Sequence, residues 1–409
     1  MIYRLMPEPD VAERTAPVSR ERLLARGFDA AYRRALDIGP QAIIEEIDAV
    51  RLGGRGGAAF PTARKWAAVR QEAEPIKYVV MNADESEPGT FKDRDLLIKD
   101  PLGALTGLII SAYTVGAKKG YIYIRGEYRD VERLLYQAID VLATMGWLGP
   151  DVLTLEVRRG AGAYIAGEET ALFNSIEGYR PEPRVKPPFP TQQGLFHKPT
   201  LIQNVETLAN VALLLAHNVS WFSEIGTEHS PGSKLMALSG HVARPGVYEV
   251  PFGIELKTLM EDAQYGGGTG TSRALHAVLV GGAAGSFLTS QEAREARLDY
   301  PDLAKFGATV GSGALMLFDV EADLNQVLLG LARFFAEESC GQCVPCRVGT
   351  KRITEMLEAR QMWTRRGDVE DLARAMTDAS ICGLGQTAAN ALISAMRRPD
   401  LWQGQPATS

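Results

Sequence analysis

Cysteine is scarce in this sequence, with four residues in 409. So few thiols in so long a chain do not form a disulfide framework, and they point instead to metal or redox chemistry. Histidine is almost as rare: the five residues are scattered, and no HExxH, GxSxG or calcium-loop pattern occurs. That excludes the common zinc-protease, serine-hydrolase and EF-hand readings. Basic residues are not in excess: 44 Lys and Arg stand against 50 Asp and Glu, a net charge of −6. Nucleic acid is therefore not expected as a partner, because phosphate backbones reward a basic face. No cationic-then-apolar leader opens the chain, since MIYRLMPEPD meets a proline and acids at once. Long apolar runs are missing too. One of the longest uncharged stretches, 101–117, is short for a membrane span and carries Gly, Ser and Thr. It reads as a buried helix, and no direct membrane insertion is expected. Neither an internal repeat nor a low-complexity tract is found.

What is present is an ordinary globular composition, 45% hydrophobic and 23% charged, long enough for two to four domains. Up to about residue 222, strand-like runs (KYVVMN, YIYIRG, LTLEVRRG) alternate with helical ones (GPQAIIEEIDAV, DVERLLYQAIDVLATM, EETALFNSI). The alternation predicts an α/β layer with a mainly parallel sheet. From about 234 to 320, short strands with Gly and Pro turns (KLMALSG, GVYEVP, HAVLVGG, GALMLFDV) predict a small α+β domain. Beyond that the pattern is helical: LNQVLLGLARFFAEES, TKRITEMLEARQ, DVEDLARAMTD and QTAANALISAMRR. The expected domains are 1–228, 229–320 and 321–409.

Three of the cysteines, Cys340, Cys343 and Cys346, sit in ESCGQCVPCRVGT, and Cys382 sits in ASICGLGQT. Structural zinc takes two ligand pairs, whereas here the pattern is three plus one. A 4Fe–4S cube needs a thiolate on each of four irons, and C-x2-C-x2-C with one remote cysteine supplies that. Pro345 fits a rigid turn that presents the sulfurs. A zinc-stabilised scaffold and inert buried thiols are the alternatives.

Four further segments carry candidate chemistry. In GGRGGAAFPTARKW, residues Gly54, Arg55, Gly56 and Gly57 permit a turn whose N–H groups wrap a phosphate, with Arg55 and Lys65 adding charge. The segment follows a helix rather than a strand, so it is neither a Rossmann fingerprint nor a Walker loop, and a plain glycine turn is the alternative. NADESEPGTFKDRD emerges at a strand's carboxyl end, where Asn82, Asp84, Ser86 and Glu87 offer donors and acceptors; a solvated acidic loop is the alternative. In RRGAGAYIAGEETALFNSIEG, Glu168 and Glu169 open a helix and disfavour pyrophosphate there. They suit sugar hydroxyls or charge tuning of a redox ring, or act as simple capping acids. In RVKPPFP, prolines hold Lys186 beside Phe189, which otherwise reads as a surface linker.

Together these segments and the cysteine set resemble the NADH-oxidising, FMN-binding flavoprotein subunit of respiratory complex I. That subunit type is shared with soluble NAD-dependent formate dehydrogenases and NAD-reducing hydrogenases. The resemblance runs from about residue 44 to 397. It implies an α/β FMN-binding domain with a mainly parallel sheet, then a ubiquitin-like β-grasp domain, then a C-terminal four-helix bundle carrying a 4Fe–4S cluster. It implies FMN contacts at Gly54, Arg55, Gly56, Gly57, Lys65, Asn82, Asp84, Ser86, Tyr164, Gly167, Glu168, Glu169, Asn204 and Thr207. NADH contacts are implied at Phe60, Glu87, Glu169, Lys186 and Phe189, and cluster ligation at Cys340, Cys343, Cys346 and Cys382. Ala166, Ala59 and Gln203 depart from the family's usual Cys, Gly and Asn.

The electron count fits this scheme, because NADH gives two electrons as a hydride while a cluster takes one, and a flavin does both. No side chain need act as acid or base. The implied function is an NADH dehydrogenase (diaphorase) subunit. Its implied partners are a 2Fe–2S thioredoxin-like subunit and a multi-cluster iron–sulfur subunit, in a complex that is cytoplasmic or peripheral on the cytoplasmic face of the inner membrane. A non-catalytic iron–sulfur electron-transfer module is the competing reading. Cys382 is expected in a domain separate from the flavin pocket.

Overall fold

The computed structural model describes residues 2–402. Residue 1 and residues 403–409, the outer ends of the first and last expected domains, lie outside the described residues. Two short helices, α1 (Pro9–Arg14) and α2 (Arg20–Ala25), lead into α3 (Phe28–Ala49), which bends at Gly39 (φ 77°), just before Pro40. There follow α4 (Thr62–Gln71), β1 (Tyr78–Ala83), α5 (Lys92–Lys99), α6 (Pro101–Val115), β2 (Lys119–Arg125), α7 (Arg129–Thr144) and β3 (Thr154–Gly160). Then come α8 (Glu169–Ile176), β4 (Thr200–Asn204), α9 (Val205–Ala216) and α10 (Val219–Ser223).

The four strands form one parallel sheet in the order β3-β2-β1-β4. Successive side chains alternate between its faces. Val79, Met81, Ile122, Ile124 and Leu201 enter a large core with helices α3, α6, α7 and α9. Val80, Tyr121, Tyr123 and Ile202 face the other way, against Leu172, Phe173 and Ile176 of α8. A sheet covered on both faces needs apolar residues at every position, as KYVVMN and YIYIRG supply. Strand order reverses at β1, with β2 on one side and β4 on the other. The crevice beyond the carboxyl ends of β1 and β4 is therefore a topological switch point, where such sheets bind ligands.

The second sheet is mixed and five-stranded, in the order β6-β5-β9-β7-β8. It comprises β5 (Ser233–Gly240), β6 (Gly246–Pro251), β7 (Leu275–Val280), β8 (Ser286–Thr289) and β9 (Ala314–Asp319). Helix α11 (Leu256–Glu261) follows β6, and α12 (Ser290–Glu295) and α13 (Tyr300–Ala304) follow β8. Met236, Leu238, Val278 and Val280 pack under these helices. Ala277, Leu279 and Phe287 face the opposite way and share a core with the C-terminal helices.

Those helices are α14 (Leu324–Glu338), α15 (Val344–Glu358), α16 (Arg366–Ala379), α17 (Gly383–Thr387) and α18 (Asn390–Met396). Two details differ from the sequence expectation. Helix α15 begins at Val344 with Pro345 in its first turn, so Cys346 is helical rather than part of a loop. Proline is well placed there, because first-turn N–H groups have no intrahelical acceptor. The stretch QTAANALISAMRR forms two helices rather than one, and Asn390 at the start of the second donates to the Ala284 carbonyl at 3.1 Å.

The N-terminal segment is tied down by one buried carboxylate. Glu249 on β6 accepts the backbone N–H groups of Arg4, Leu5 and Met6 and the Ser233 hydroxyl. Among the described residues no single helix is long and apolar enough to cross a membrane. The pair α5–α6 passes by length and composition only, is bent by 98°, and buries almost all of α6 inside the fold.

Helices α6 and α9 touch backbone to backbone at Gly107, where an added Cβ would stand 2.0 Å from the Leu208 carbonyl oxygen. Gly107→Ala should destabilise the protein by about 2–3 kcal/mol, because the helices must move apart. Gly330, in α14 with nothing near its Cβ position, should behave oppositely: Gly330→Ala should stabilise by about 0.5–1 kcal/mol through helix propensity. Denaturant unfolding of the two variants beside the parent checks both signs.

Candidate functional site

Two cavities meet beyond the carboxyl ends of β1 and β4. In register on those strands, Asn82 and Asn204 stand side by side at the mouth. The inner cavity, 390 Å³, takes Gly56, Gly57, Asn82, Asp84, Ser86, Glu87, Tyr164, Gly167, Glu168 and Asn204 from the expected set. The outer one, 660 Å³, takes Gly54, Phe60, Lys65, Glu169, Lys186, Phe189 and Thr207. Gly56, Gly57, Asn82, Gly167, Glu168 and Asn204 line both.

The glycine loop is built for close approach. Gly54 N–H donates to the Phe60 carbonyl at 2.9 Å. A Cβ on Gly56 would stand 3.2 Å from Asn204 Cβ, and Gly57 adopts φ 139°. Ala59 also has a positive φ of 52°, a left-handed conformation that suits glycine better than alanine. Arg55 departs from expectation. Its backbone N–H donates to Thr207 Oγ1 at 2.8 Å, while its guanidinium lies over Phe252 at 4.6 Å and donates to the Pro231 carbonyl. The side chain thus holds the loop from behind and lines neither cavity. The aromatic Phe252 and the Pro231 carbonyl draw it inward.

A cation that the sequence reading missed stands in the inner cavity instead. Lys92, buried, lines it and pairs with Asp93 at 2.7 Å and Glu206 at 2.9 Å. Glu206 also holds Lys234 at 2.6 Å and accepts Leu235 N–H. Burial opposes ionisation of Glu206, but Lys234 and Lys92 outweigh it and hold the carboxyl down at about 2. Asn204 caps α9 through Oδ1 and donates its amide to Asp93 at 2.6 Å. KDRD, where Lys92 sits, reads as an ordinary amphipathic helix start, so nothing local flags a buried lysine.

The second sheet contributes Gly281, Ala284, Thr309, Gly311 and Ser312 to the inner cavity, and the C-terminal helices contribute Gly383, Leu384, Thr387 and Asn390. The runs VGGAAGS and GSG were the only available signals. Gly282 abuts Glu87, whose carboxyl group a Cβ there would meet at 2.5 Å. Glu87 accepts the Ala284 N–H at 3.0 Å, and Thr90 meets Ser312 at 2.8 Å. The expectation that the cysteine helices stand apart from this pocket is therefore overturned: residues directly after Cys382 form its wall. Glu87 lines the inner cavity, away from the outer set of Phe60, Lys186 and Phe189.

In the outer cavity, acids and lysines neutralise one another. Lys65 pairs with Glu169, and Lys186 with Glu168 at 2.9 Å. Glu168 also caps α8, accepting the N–H groups of Thr170 and Ala171 at 2.9 Å. Burial opposes its charge, yet Lys65 and Lys186 hold the Glu169 carboxyl below its ordinary range. Phe60 and Phe189 flank the mouth, each 53% exposed. Exposed rings beside half-buried charges form a surface on which a flat base can stack. Gln203, a departure from the resembled pattern, lines this cavity with Nε2 buried and unpartnered.

The four cysteines are free thiols, with Cys346 and Cys382 buried and Cys340 and Cys343 half-buried around one apolar core. Burial raises the Cys346 thiol, the neighbouring Cys343 and Cys340 add to that, and the Cys382 thiol is pushed up to about 11. Leu384 and Gly385 N–H groups point at Cys382. Metal ligation requires thiolates, so a bound metal would hold Cys346 and Cys382 ionised against their burial. Among the described residues no group of three or more His, Cys, Asp or Glu side chains, these cysteines included, is drawn together closely enough to hold a single metal ion. A cube that ties each thiolate to a different iron fits this donor set better than a single zinc ion does. Tyr164 stands between the inner cavity and this group, its N–H on Glu338 at 2.8 Å and its ring 5.1 Å from Phe334.

Comparison with known proteins bears on both halves of the site. Residues 47–213 match the Nuo51 FMN-binding domain, and residues 326–399 match the NADH-ubiquinone oxidoreductase-F iron-sulfur binding region. The chain is 41% identical over 386 residues to an F-type subunit of the NADH-quinone oxidoreductase of Rhizobium meliloti, covering 91% of this chain and 90% of that protein. It is 38% identical over 381 residues to the HndC component of the NADP-reducing hydrogenase of Solidesulfovibrio fructosivorans, covering 91% and 77%. Its fold matches a crystal structure of an NAD+-reducing NiFe hydrogenase in the H2-reduced state, with a TM-score of 0.84 and 34% identity over 99% of this chain and 68% of that one.

Asp84 gives the site a pH signature. Burial raises its carboxyl from 3.8 to about 7, while one oxygen accepts from Ser86 and the other, Oδ1, has no partner. Between those two values the folded state holds a proton that the unfolded state has released, so stability falls as pH rises through that window and levels off above it. Flavin-free protein should show this decline, and Asp84→Asn should make it shallower, leaving the shares of Glu85, which burial raises to about 7 as well, and of Glu87, Asp100 and Glu249, which burial also raises. Unfolding midpoints measured across pH 4 to 8 decide: equal slopes in parent and variant would remove Asp84 from this role.

Proposed function

Because this chain belongs to the family of F-type NADH-quinone oxidoreductase subunits, with its FMN-binding and iron–sulfur regions, we propose a residue-level scheme for how it oxidises NADH. It is an FMN-dependent NADH dehydrogenase module with a 4Fe–4S cluster, within a multi-subunit NADH dehydrogenase or hydrogenase complex. When bound, FMN takes a hydride from NADH and hands electrons on singly to the cluster.

The inner cavity would hold FMN and the outer one NADH, with Gly56, Asn82, Gly167 and Asn204 lining both. This shared wall is the observation that carries the scheme, since hydride transfer needs stacked rings and dry surroundings. Gly54, Gly56 and Gly57 present backbone to the flavin, and Arg55 and Thr207 brace that loop. Lys92 supplies the buried positive charge beside it. Asn82, Asp84, Ser86, Tyr164 and Asn204 offer polar atoms to the ring and its ribityl chain, with Asp84 Oδ1 awaiting a donor. Phe60 and Phe189 stack the adenine, Lys186 exchanges its carboxylate partner for the nucleotide, and Lys65, which the resemblance implies as an FMN contact, lines the outer cavity and is reassigned to the nucleotide with it. Glu168 and Glu169, so released, face its ribose hydroxyls, and Glu87 stands at the nicotinamide end.

Cys340, Cys343, Cys346 and Cys382 hold the cluster. Leu384, two residues from Cys382, lines the flavin cavity, so the covalent path from cavity wall to cluster is short. We divide the chain at 228 and 320. The central mixed sheet has its first and last strands parallel at its middle and a helix after the second strand, which supports a β-grasp reading. Helices α14, α15, α16 and α18 would form the four-helix bundle. The proposed partners are a 2Fe–2S thioredoxin-like subunit and a multi-cluster iron–sulfur subunit, in a cytoplasmic or membrane-peripheral assembly. The parent complex is a complex I-type enzyme or, as relatives of both kinds allow, a hydrogenase; a formate dehydrogenase is a further candidate by resemblance.

Lys186→Ala should raise the Kd for NADH about tenfold, the loss of one charge-assisted contact worth roughly 1.4 kcal/mol, while FMN stays bound. Loss of FMN in that variant would place Lys186 on the wrong ligand. Cys382→Ala should abolish the four-iron electron paramagnetic resonance signal or reduce it to a three-iron form. NADH should still bleach the flavin in stopped flow, and transfer to partner clusters should stop. A variant that keeps an intact four-iron signal would remove Cys382 from the ligand set, and bleaching lost along with FMN would show that the α17 wall is needed for flavin binding.

A further inference from the structure

Two serines beside the cysteines have no part in the scheme above. Ser339 Oγ stands 3.3 Å from Cys346 Sγ and lies 3.4 Å from the Gly341 N–H, which donates to it. A hydroxyl that accepts there has its single proton left for the sulfur. Ser380, 6% exposed and two residues before Cys382, has its Oγ buried with no partner among the described residues. Its surroundings face the cluster side of the fold: a Cβ on Gly385 would stand 2.4 Å from Ser380 Oγ and 2.8 Å from Cys346 Cβ. Hydroxyl and cysteine thus approach one another across a stretch of chain that carries no side chain. A buried hydroxyl without an acceptor costs free energy, and sulfur brought into that gap would remove the cost.

We propose that Ser339 and Ser380 donate hydrogen bonds to the sulfur atoms of the bound cluster and thereby raise its reduction potential. This rests on the reading of the four cysteines as its ligands. The reduced cluster carries one more negative charge than the oxidised one, so each donor stabilises the reduced form more. The Leu384 and Gly385 N–H groups at Cys382 act in the same sense, but side-chain substitution cannot remove them. The serines are positioning residues, since they touch neither nucleotide nor flavin. Their effect would be to make the cluster a better acceptor for electrons leaving the flavin.

The test uses the full holoprotein with Ser339→Ala, Ser380→Ala and Ser339→Thr. Redox titration followed by electron paramagnetic resonance gives the cluster midpoint, and pulsed measurements in D2O report exchangeable deuterons near the spin. Both alanine variants should keep full cluster signal, shift the midpoint to more negative values and lose an exchangeable coupling, and Ser339→Thr should restore both. Intact clusters with unmoved midpoints would overturn the proposal. Should Ser380→Ala fail to hold the cluster, Ser339→Ala at its half-buried position decides alone, and an unchanged midpoint there overturns it. Cys382→Ala run in parallel keeps the two ideas apart: a four-iron signal that survives it sinks the ligand reading, whatever the serines do.

Discussion

Glu206 carries a fully buried carboxylate in the first turn of α9, between Lys92 from α5 and Lys234 from β5. Three charges withdrawn from water are tolerable only together: removing one partner of a buried pair typically costs about 3–5 kcal/mol because the others are left uncompensated. The cluster therefore fixes three chain segments against one another. Through Lys234 it reaches the Arg55 carbonyl, and Thr207, one residue after Glu206, holds the Arg55 N–H. The glycine loop is thus positioned by a polar knot behind it, and its cavity face stays bare backbone. Asn204, two residues before Glu206, caps α9 and binds Asp93, which extends the same knot into the wall of the inner cavity.

The inner cavity is a joint product of all three parts of the chain. The parallel sheet supplies the floor at its switch point, the mixed sheet supplies Gly281 and Ser312, and the helical region supplies Leu384 and Asn390. Glu87 and Thr90 seal the seam by bonding across it to Ala284 and Ser312. This construction solves a physical problem of electron transfer. In the proposed scheme a flavin stacks with a nucleotide on one side and lies close to a cluster on the other, and shared walls would serve both. It also places Tyr164 where it packs on the helices through Phe334 and Phe335 while still lining the cavity.

Charge is handled differently in the two cavities. In the inner one, burial raises Asp84, Glu85 and Glu87 and so works against their ionisation. In the outer one, lysines outweigh burial and keep Glu169 ionised. The outer cavity thus holds matched ion pairs that a nucleotide can split at little net electrostatic cost, trading one set of charge-assisted bonds for another.

Some of this was legible in the sequence because it is local. Continuous apolar runs specify strands whose two faces are both covered, and KYVVMN and YIYIRG became β1 and β2 of a parallel sheet. The three-plus-one spacing of Cys340, Cys343, Cys346 and Cys382 limits the metal chemistry before any fold is known. The glycines at 54, 56 and 57 announce a close backbone approach, and the acids at 168 and 169 announce a helix start that repels phosphate. What only the tertiary structure decided depends on residues far apart in the chain. Arg55 looked like a phosphate partner, and Phe252, some two hundred positions away, drew it out of the site. Lys92 carried no local signal, and Glu206 pairs with it in the interior. Residues 281–312 and 383–390 became walls of a cavity opened by residues 54–87. Local propensity is set by neighbours along the chain, but a buried ion pair or a cavity wall is set by which distant segments the core brings into contact, and that choice is not written in any one stretch of sequence.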